Sequence, residues 1–203
     1  MIKTVIQWTD VHVGAPHQLE HNIQKILEDF ETHQHDPEVI VIGTGDIIDN
    51  KNVKRSKMPF YARMRNELKR IMGKFYKFGN HECEVDPDGY ISIEEDIMWM
   101  HYHVKNWCNS FINACKKVIR WENKKEGLKW WKYLGYRFKH RVVYRGKEWH
   151  PSEQEITDLV AFAKKNNCKF VFLGHIHKFY DQIHDGIRIC NGGRGRKVYH
   201  LER

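Results

Sequence analysis

Four times in this chain an apolar run of strand length breaks directly into aspartate, histidine and glycine. Residues 2–9 end at Asp10-Val11-His12, and Val39-Ile40-Val41-Ile42 leads through Gly43-Thr44 to Gly45-Asp46-Ile47-Ile48-Asp49. Residues 74–78 end at Gly79-Asn80-His81-Glu82, and Phe170–Leu173 ends at Gly174-His175-Ile176-His177. A short continuous apolar run fits a strand covered on both faces. The polar cluster behind it must then lie where a buried strand leaves the core. This pattern confines the chain to a layered α/β arrangement whose strand ends gather reactive side chains.

The stretches between these runs read as helices and further strands. Leu19, Ile23, Ile26, Leu27 and Phe30 recur at helical spacing, and residues 59–71 also look helical. Residues 152–166 predict a helix with Ser152 and Glu155 as a capping box and Ile156, Leu159, Val160 and Ala163 on one face. Residues 90–100 predict a strand pair turning at Glu94-Glu95-Asp96, and 187–190 and 198–201 predict late strands. Gly192-Gly193-Arg194-Gly195 looks like a phosphate-cradling loop, but no helix follows it, so a tight turn between strands is the better reading.

The 203 residues suit one domain, 1–203, and no apolar stretch approaches the roughly 18 residues of a membrane span. The amino-terminal residues run into a strand pattern without a leader's apolar stretch. Five cysteines with no C-x-x-C pair fit free thiols, so a cytoplasmic location is expected. The net charge of +8 is concentrated: residues 102–150 hold 13 Lys/Arg against three Glu. They also hold five of the seven tryptophans, Trp107, Trp121, Trp130, Trp131 and Trp149. One reading is a solvated helical face with its tryptophans packed inward. The other is a cap that attracts a phosphate-rich substrate and holds its bulky part by aromatic stacking or at a lipid head group.

Carboxylate oxygen and imidazole nitrogen suit Mn²⁺, Fe²⁺, Zn²⁺ or Ni²⁺. In D-x-H and H-x-H the alternation of an extended chain puts both side chains on one side, so each pair can converge on one ion. An aspartate or histidine alone in a loop is ordinarily just solvated. The ordered set D-x-H, G-D-x-x-D, G-N-H-E, an isolated His and G-H-x-H, from Asp10 to His177, resembles the calcineurin-like metallophosphoesterase superfamily.

That resemblance implies a four-layer α/β/β/α sandwich with a helical cap insertion at about 102–150. It also implies a metal-dependent hydrolase of phosphate mono- or diesters. One ion would be held by Asp10, His12, Asp46 and His177. The other would be held by Asp46 as a bridge, with Asn80, His175 and the isolated His. His81 would contact the phosphate and stabilise its charge or protonate the leaving oxygen, while Asp49 and Glu82 orient neighbouring groups. Asn191 and Arg194 are candidate substrate neighbours. Two cations about 3.5–4 Å apart would lower the pKa of a bridging water, and the resulting hydroxide would attack phosphorus in line.

For the isolated His, residues 97–100 lead into His101-Tyr102-His103, with Tyr102 where the family often has Gly. His101 comes first after the apolar run, and His103 would point the same way; His140 and His150 lie inside the basic segment. The insertion followed by a helix resembles the UDP-2,3-diacylglucosamine pyrophosphohydrolase branch and its relatives, whose best-known group carries Arg where this chain has His81. The basic segment also suits a nuclease, with DNA or RNA as partner, and a scaffold without catalysis is the non-enzymatic alternative.

Overall fold

The computed structural model describes residues 1–14, 21–49, 58–79, 81–82, 86, 91–101, 153–175 and 177–202. Asn80, His103, Ser152 with its capping box, and the whole of 102–150 lie outside them. The elements are β1 (Thr4–Thr9), α1 (His21–His33), β2 (Val39–Gly43), α2 (Met58–Met72), β3 (Ile91–Glu94), β4 (Ile97–Met100), α3 (Glu153–Lys165), β5 (Phe170–Leu173), β6 (Phe179–His184), β7 (Ile187–Gly192) and β8 (Gly195–His200).

They build two sheets, one of three strands in the order β2-β1-β8 and one of five in the order β3-β4-β5-β7-β6. β1 and β2 run parallel, as do β4, β5 and β7, while β8, β3 and β6 pair antiparallel with their neighbours. Period-two alternation explains why the apolar runs are unbroken, because each face of each strand has its own core to fill. Val5, Ile40 and Ile42 point between the sheets, where they meet Ile97, Trp99, Phe170 and Phe172. Their neighbours Ile6, Trp8 and Val41 point outward onto Ile23 and Ile26 of α1 and Tyr61, Leu68 and Met72 of α2. On the far side Met98, Met100, Val171 and Leu173 receive Leu159, Val160 and Ala163 of α3. The result is the expected four-layer α/β/β/α sandwich.

One sequence expectation about the elements is corrected, and one strand was not anticipated. Residues 74–78 do not form a strand: Gly73–Phe75 is a 3₁₀ turn, and Tyr76 makes one isolated bridge to Gly43. The Lys74 carbonyl accepts instead from the Trp99 indole (3.2 Å) and the Ser92 hydroxyl (3.1 Å), so side chains of the second sheet take the place of a ladder. Conversely, β6 has no apolar run to announce it. It is an edge strand whose Phe179 and Ile183 are exposed. No helix among the described residues is long and apolar enough to cross a membrane.

Candidate metal centre

Because β1 and β2 are parallel, their carboxyl ends open at one end of the first sheet; β4 and β5 do the same in the second. Gln7 joins the two ends across the sandwich, its amide donating to the Thr44 hydroxyl (2.9 Å) and to the Leu173 carbonyl (2.7 Å). The segments leaving β1 and β2 are laced together by backbone bonds from Asp10 to Gly45, His12 to Asp46 and Val13 to Ile47. Gly174, leaving β5, donates to the carbonyl of His101, which leaves β4.

Three sets of side chains meet here: Asp10, His12 and His177; His12, Asp49 and His81; and Asp46, His101 and His175. Within each set one oxygen or nitrogen per residue lies within 4.8 Å of the others. His12 Nε2 and His177 Nε2 face each other at 3.1 Å, with Asp10 Oδ1 at 3.3 Å from the latter. His101 Nε2 lies 3.5 Å from Asp46 Oδ2. His81 places Nδ1 3.1 Å from Asp49 Oδ1 and Nε2 3.9 Å from Asp46 Oδ2.

The convergence does not use the extended geometry expected from D-x-H. Asp10, His12, Asp46 and His175 all have left-handed backbones, with φ of 51°, 55°, 52° and 67°. Such a conformation in a non-glycine residue costs on the order of 1–3 kcal/mol and is found where function holds it in place. The sharp turn, rather than alternation, is what folds Asp10 and His12 back onto each other. His175 and His177 also part company, one joining Asp46 and His101 and the other joining Asp10 and His12.

His101 is held in a slot between three glycines. A Cβ on Gly45 would come within 2.5 Å of His101 Nδ1, one on Gly79 within 2.7 Å of its Cε1, and one on Gly174 within 2.9 Å of Nδ1. Nδ1 also lies 2.8 Å from the Thr44 carbonyl. Donation to that carbonyl puts the proton on Nδ1 and leaves the Nε2 lone pair facing Asp46. Thr44 was not singled out in the sequence, and because the contact is made by its main-chain carbonyl no side-chain type announces it.

Glu82 is fully buried beneath this cluster and accepts from the amides of Asp46 (2.9 Å), Ile47 (2.7 Å), Ile48 (3.1 Å) and Gly79 (2.7 Å). Burial and the Asp46 charge push its carboxyl up, and the donors pull the other way. Burial would also push Asp46 up, yet the imidazoles of His101, His81 and His12 hold it well below the usual carboxylate range. Burial brings both His12 and His175 down to about 4, which keeps them neutral near pH 7, the form that binds metals.

Asn191 is buried, and its amide spans the Gly174 carbonyl (2.9 Å) and the Gly193 amide (2.7 Å), fixing the turn from β7 to β8. From that turn Arg194 Nη2 reaches His177 Nδ1 at 2.7 Å.

The donor set passes a physical test for a divalent cation. Asp10 Oδ1, Asp46 Oδ2 and His12 Nδ1 are buried and have no hydrogen-bond partner among the described residues. Orphaned polar atoms of this kind are costly unless something ionic completes them.

A sandwich whose strand ends collect aspartates and histidines in this way has the layout of a metal-dependent hydrolase. The chain belongs to the calcineurin-like phosphoesterase family, whose sequence model matches residues 3–179. The family performs metal-dependent hydrolysis of phosphate esters. No curated protein matches the sequence. Among solved structures it is similar to a protein of Streptococcus pneumoniae TIGR4 described as a predicted phosphoesterase (12% identity, 95% of this chain and 72% of that one, TM-score 0.44). It is also similar to Vacuolar Protein Sorting 29 of Cryptosporidium parvum (14% identity, 95% and 74%, TM-score 0.44). A third is the cold-active protein-tyrosine phosphatase of a psychrophilic Shewanella species (15% identity, 98% and 75%, TM-score 0.44).

Proposed function

We propose that this phosphoesterase works with two divalent cations, manganese foremost with iron, zinc or nickel as alternatives, on phosphate mono- or diesters of nucleotide-like or sugar-nucleotide character. The observation that carries the reading is the meeting of Asp10, His12, Asp46, His101, His175 and His177 from four strand ends, with buried oxygens and a nitrogen left unsatisfied. One site takes Asp10, His12, Asp46 and His177; the other takes Asp46, Asn80, His101 and His175. When bound, the pair of cations supplies hydroxide near neutral pH and neutralises phosphoryl charge.

The chain's own residues do the rest. His101 presents Nε2 because Thr44 engages Nδ1. His81 faces the phosphate and protonates the leaving oxygen or stabilises its charge, with Asp49 setting the ring from 3.1 Å. A neutral imidazole has one lone pair, so Arg194 on Nδ1 and a cation on Nε2 compete for His177. Loading the site would therefore free the Arg194 guanidinium for a phosphate oxygen. Residues 102–150 act as a basic, tryptophan-rich cap of the single domain, and the odd cysteine count supports a cytoplasmic protein.

Protein reconstituted with Mn²⁺ is expected to hydrolyse p-nitrophenyl or bis-p-nitrophenyl phosphate. His81→Ala should lose most turnover while still binding Mn²⁺; full turnover would remove the role given to His81. Inactivity with every one of these metals on a broad phosphate panel would favour a non-catalytic scaffold. The charge of 102–150 also supports a nuclease, which predicts a DNA or RNA gel shift that weakens steeply with salt.

A further inference from the structure

Tyr76 lies behind the metal centre, on the isolated bridge to Gly43, and is fully buried. Its ring packs edge-on against Phe78, the centroids 5.4 Å apart. Its hydroxyl donates to Glu82 Oε1 at 2.8 Å, the same oxygen that receives the amides of Ile47 and Ile48. The other oxygen, Oε2, receives the amides of Asp46 and Gly79. Three consecutive N–H groups thus curl around one carboxylate, as in an anion-binding nest. The curl is what gives Asp46 its left-handed backbone, with φ of 52°. From that backbone Asp46 sends Oδ1 to the His81 amide (2.7 Å) and leaves Oδ2 facing His101. Arg65 secures the far end of the arrangement by donating to the Glu82 carbonyl (2.8 Å).

We infer that Tyr76 is a positioning residue: through Glu82 it holds the 46–48 amides in their curl and so sets the geometry with which Asp46 receives a cation. The inference rests on the metal-site reading above, but it concerns a residue outside the donor set. It gives a phenol that touches no ligand a measurable hold on metal affinity. The connection runs through one shared oxygen, so the Tyr76 and Glu82 contributions are not independent.

The test is a cycle of Tyr76→Phe, Glu82→Gln and the double variant, with Tyr199→Phe as control. Tyr199 carries a buried hydroxyl that has no hydrogen-bond partner among the described residues and lies in the core between the sheets. Two readouts are taken: Mn²⁺ affinity by calorimetry, and amide hydrogen exchange of residues 46–48. Tyr76→Phe should weaken Mn²⁺ about 10-fold and Glu82→Gln up to about 100-fold, the range found when supports of metal ligands are removed. The double variant should bind no worse than Glu82→Gln, exchange at 46–48 should quicken, and Tyr199→Phe should match wild type in both readouts.

Wild-type affinity and exchange in Tyr76→Phe overturn the inference, as do losses that multiply in the double variant. If Glu82→Gln does not fold, the comparison of Tyr76→Phe with Tyr199→Phe decides alone. Wild-type protein that takes up no Mn²⁺ defeats the metal-site reading instead. In that event exchange at 46–48 still decides whether Tyr76 holds the loop.

Discussion

His101 sits where only bare backbone leaves room, walled by Gly45, Gly79 and Gly174. A methyl at position 79 would lie 2.2 Å from Asp46 Oδ1, and that oxygen belongs to a buried side chain with nowhere to retreat. Gly79→Ala is therefore expected to abolish calorimetric Mn²⁺ binding and to lower the melting temperature. Gly186→Ala, at positive φ but with nothing within 4 Å of the new Cβ, should lower stability only and leave Mn²⁺ binding intact. At this scale the sequence told part of the story. The residue types and their order were readable from Asp10 to His177. The left-handed backbones of Asp10, His12, Asp46 and His175 were not, because aspartate and histidine adopt that region at ordinary turns as well, as Asp185 does, and most often do not adopt it at all. Nor was the glycine slot, whose three walls come from segments far apart in the chain.

Helix α2 supports the site from below. Lys69 is buried, donating to the Tyr76 carbonyl (2.6 Å) and pairing with Asp86 (2.8 Å), and Asp86 also receives the Phe78 amide (2.8 Å). Arg65 and Lys69 lie over the Phe78 ring at 5.2 and 5.5 Å from its centroid. Lys69→Met removes the buried cation that pairs with Asp86, so the urea midpoint should fall by the equivalent of about 3–5 kcal/mol. Elements buried on both faces, such as β2 and β5, were plain in the sequence because every residue had to be apolar. Residues 74–78 misled because Phe75, Tyr76 and Phe78 fill a crossing between sheets as well as they would fill a strand. The exposed edge strand β6 gave no signal at all, since an edge needs little apolar surface.

Taken whole, the molecule holds several like-charged or mutually repelling groups at one end of its sandwich. A cation that binds only the folded state stabilises it by mass action, about 2.7 kcal/mol at 100 times the dissociation constant. For a chain of this size that is a rise in melting temperature of about 5–10 °C. Differential scanning calorimetry with and without Mn²⁺ should show this rise, a chelator should reverse it, and Asp46→Asn should remove it.

The donors are shared out between the sheets, Asp10, His12 and Asp46 following strands of the first and His101 and His175 following strands of the second. The pocket therefore works like a caliper whose jaws are the two sheets, and the side chains of Trp99 and Phe172, fully buried between them, are its spacers. Thinning a spacer, as in Phe172→Ala, costs about 3–5 kcal/mol of folding stability. It also narrows or skews the jaws, so a substitution that touches no donor would be felt by the ion held at the tips.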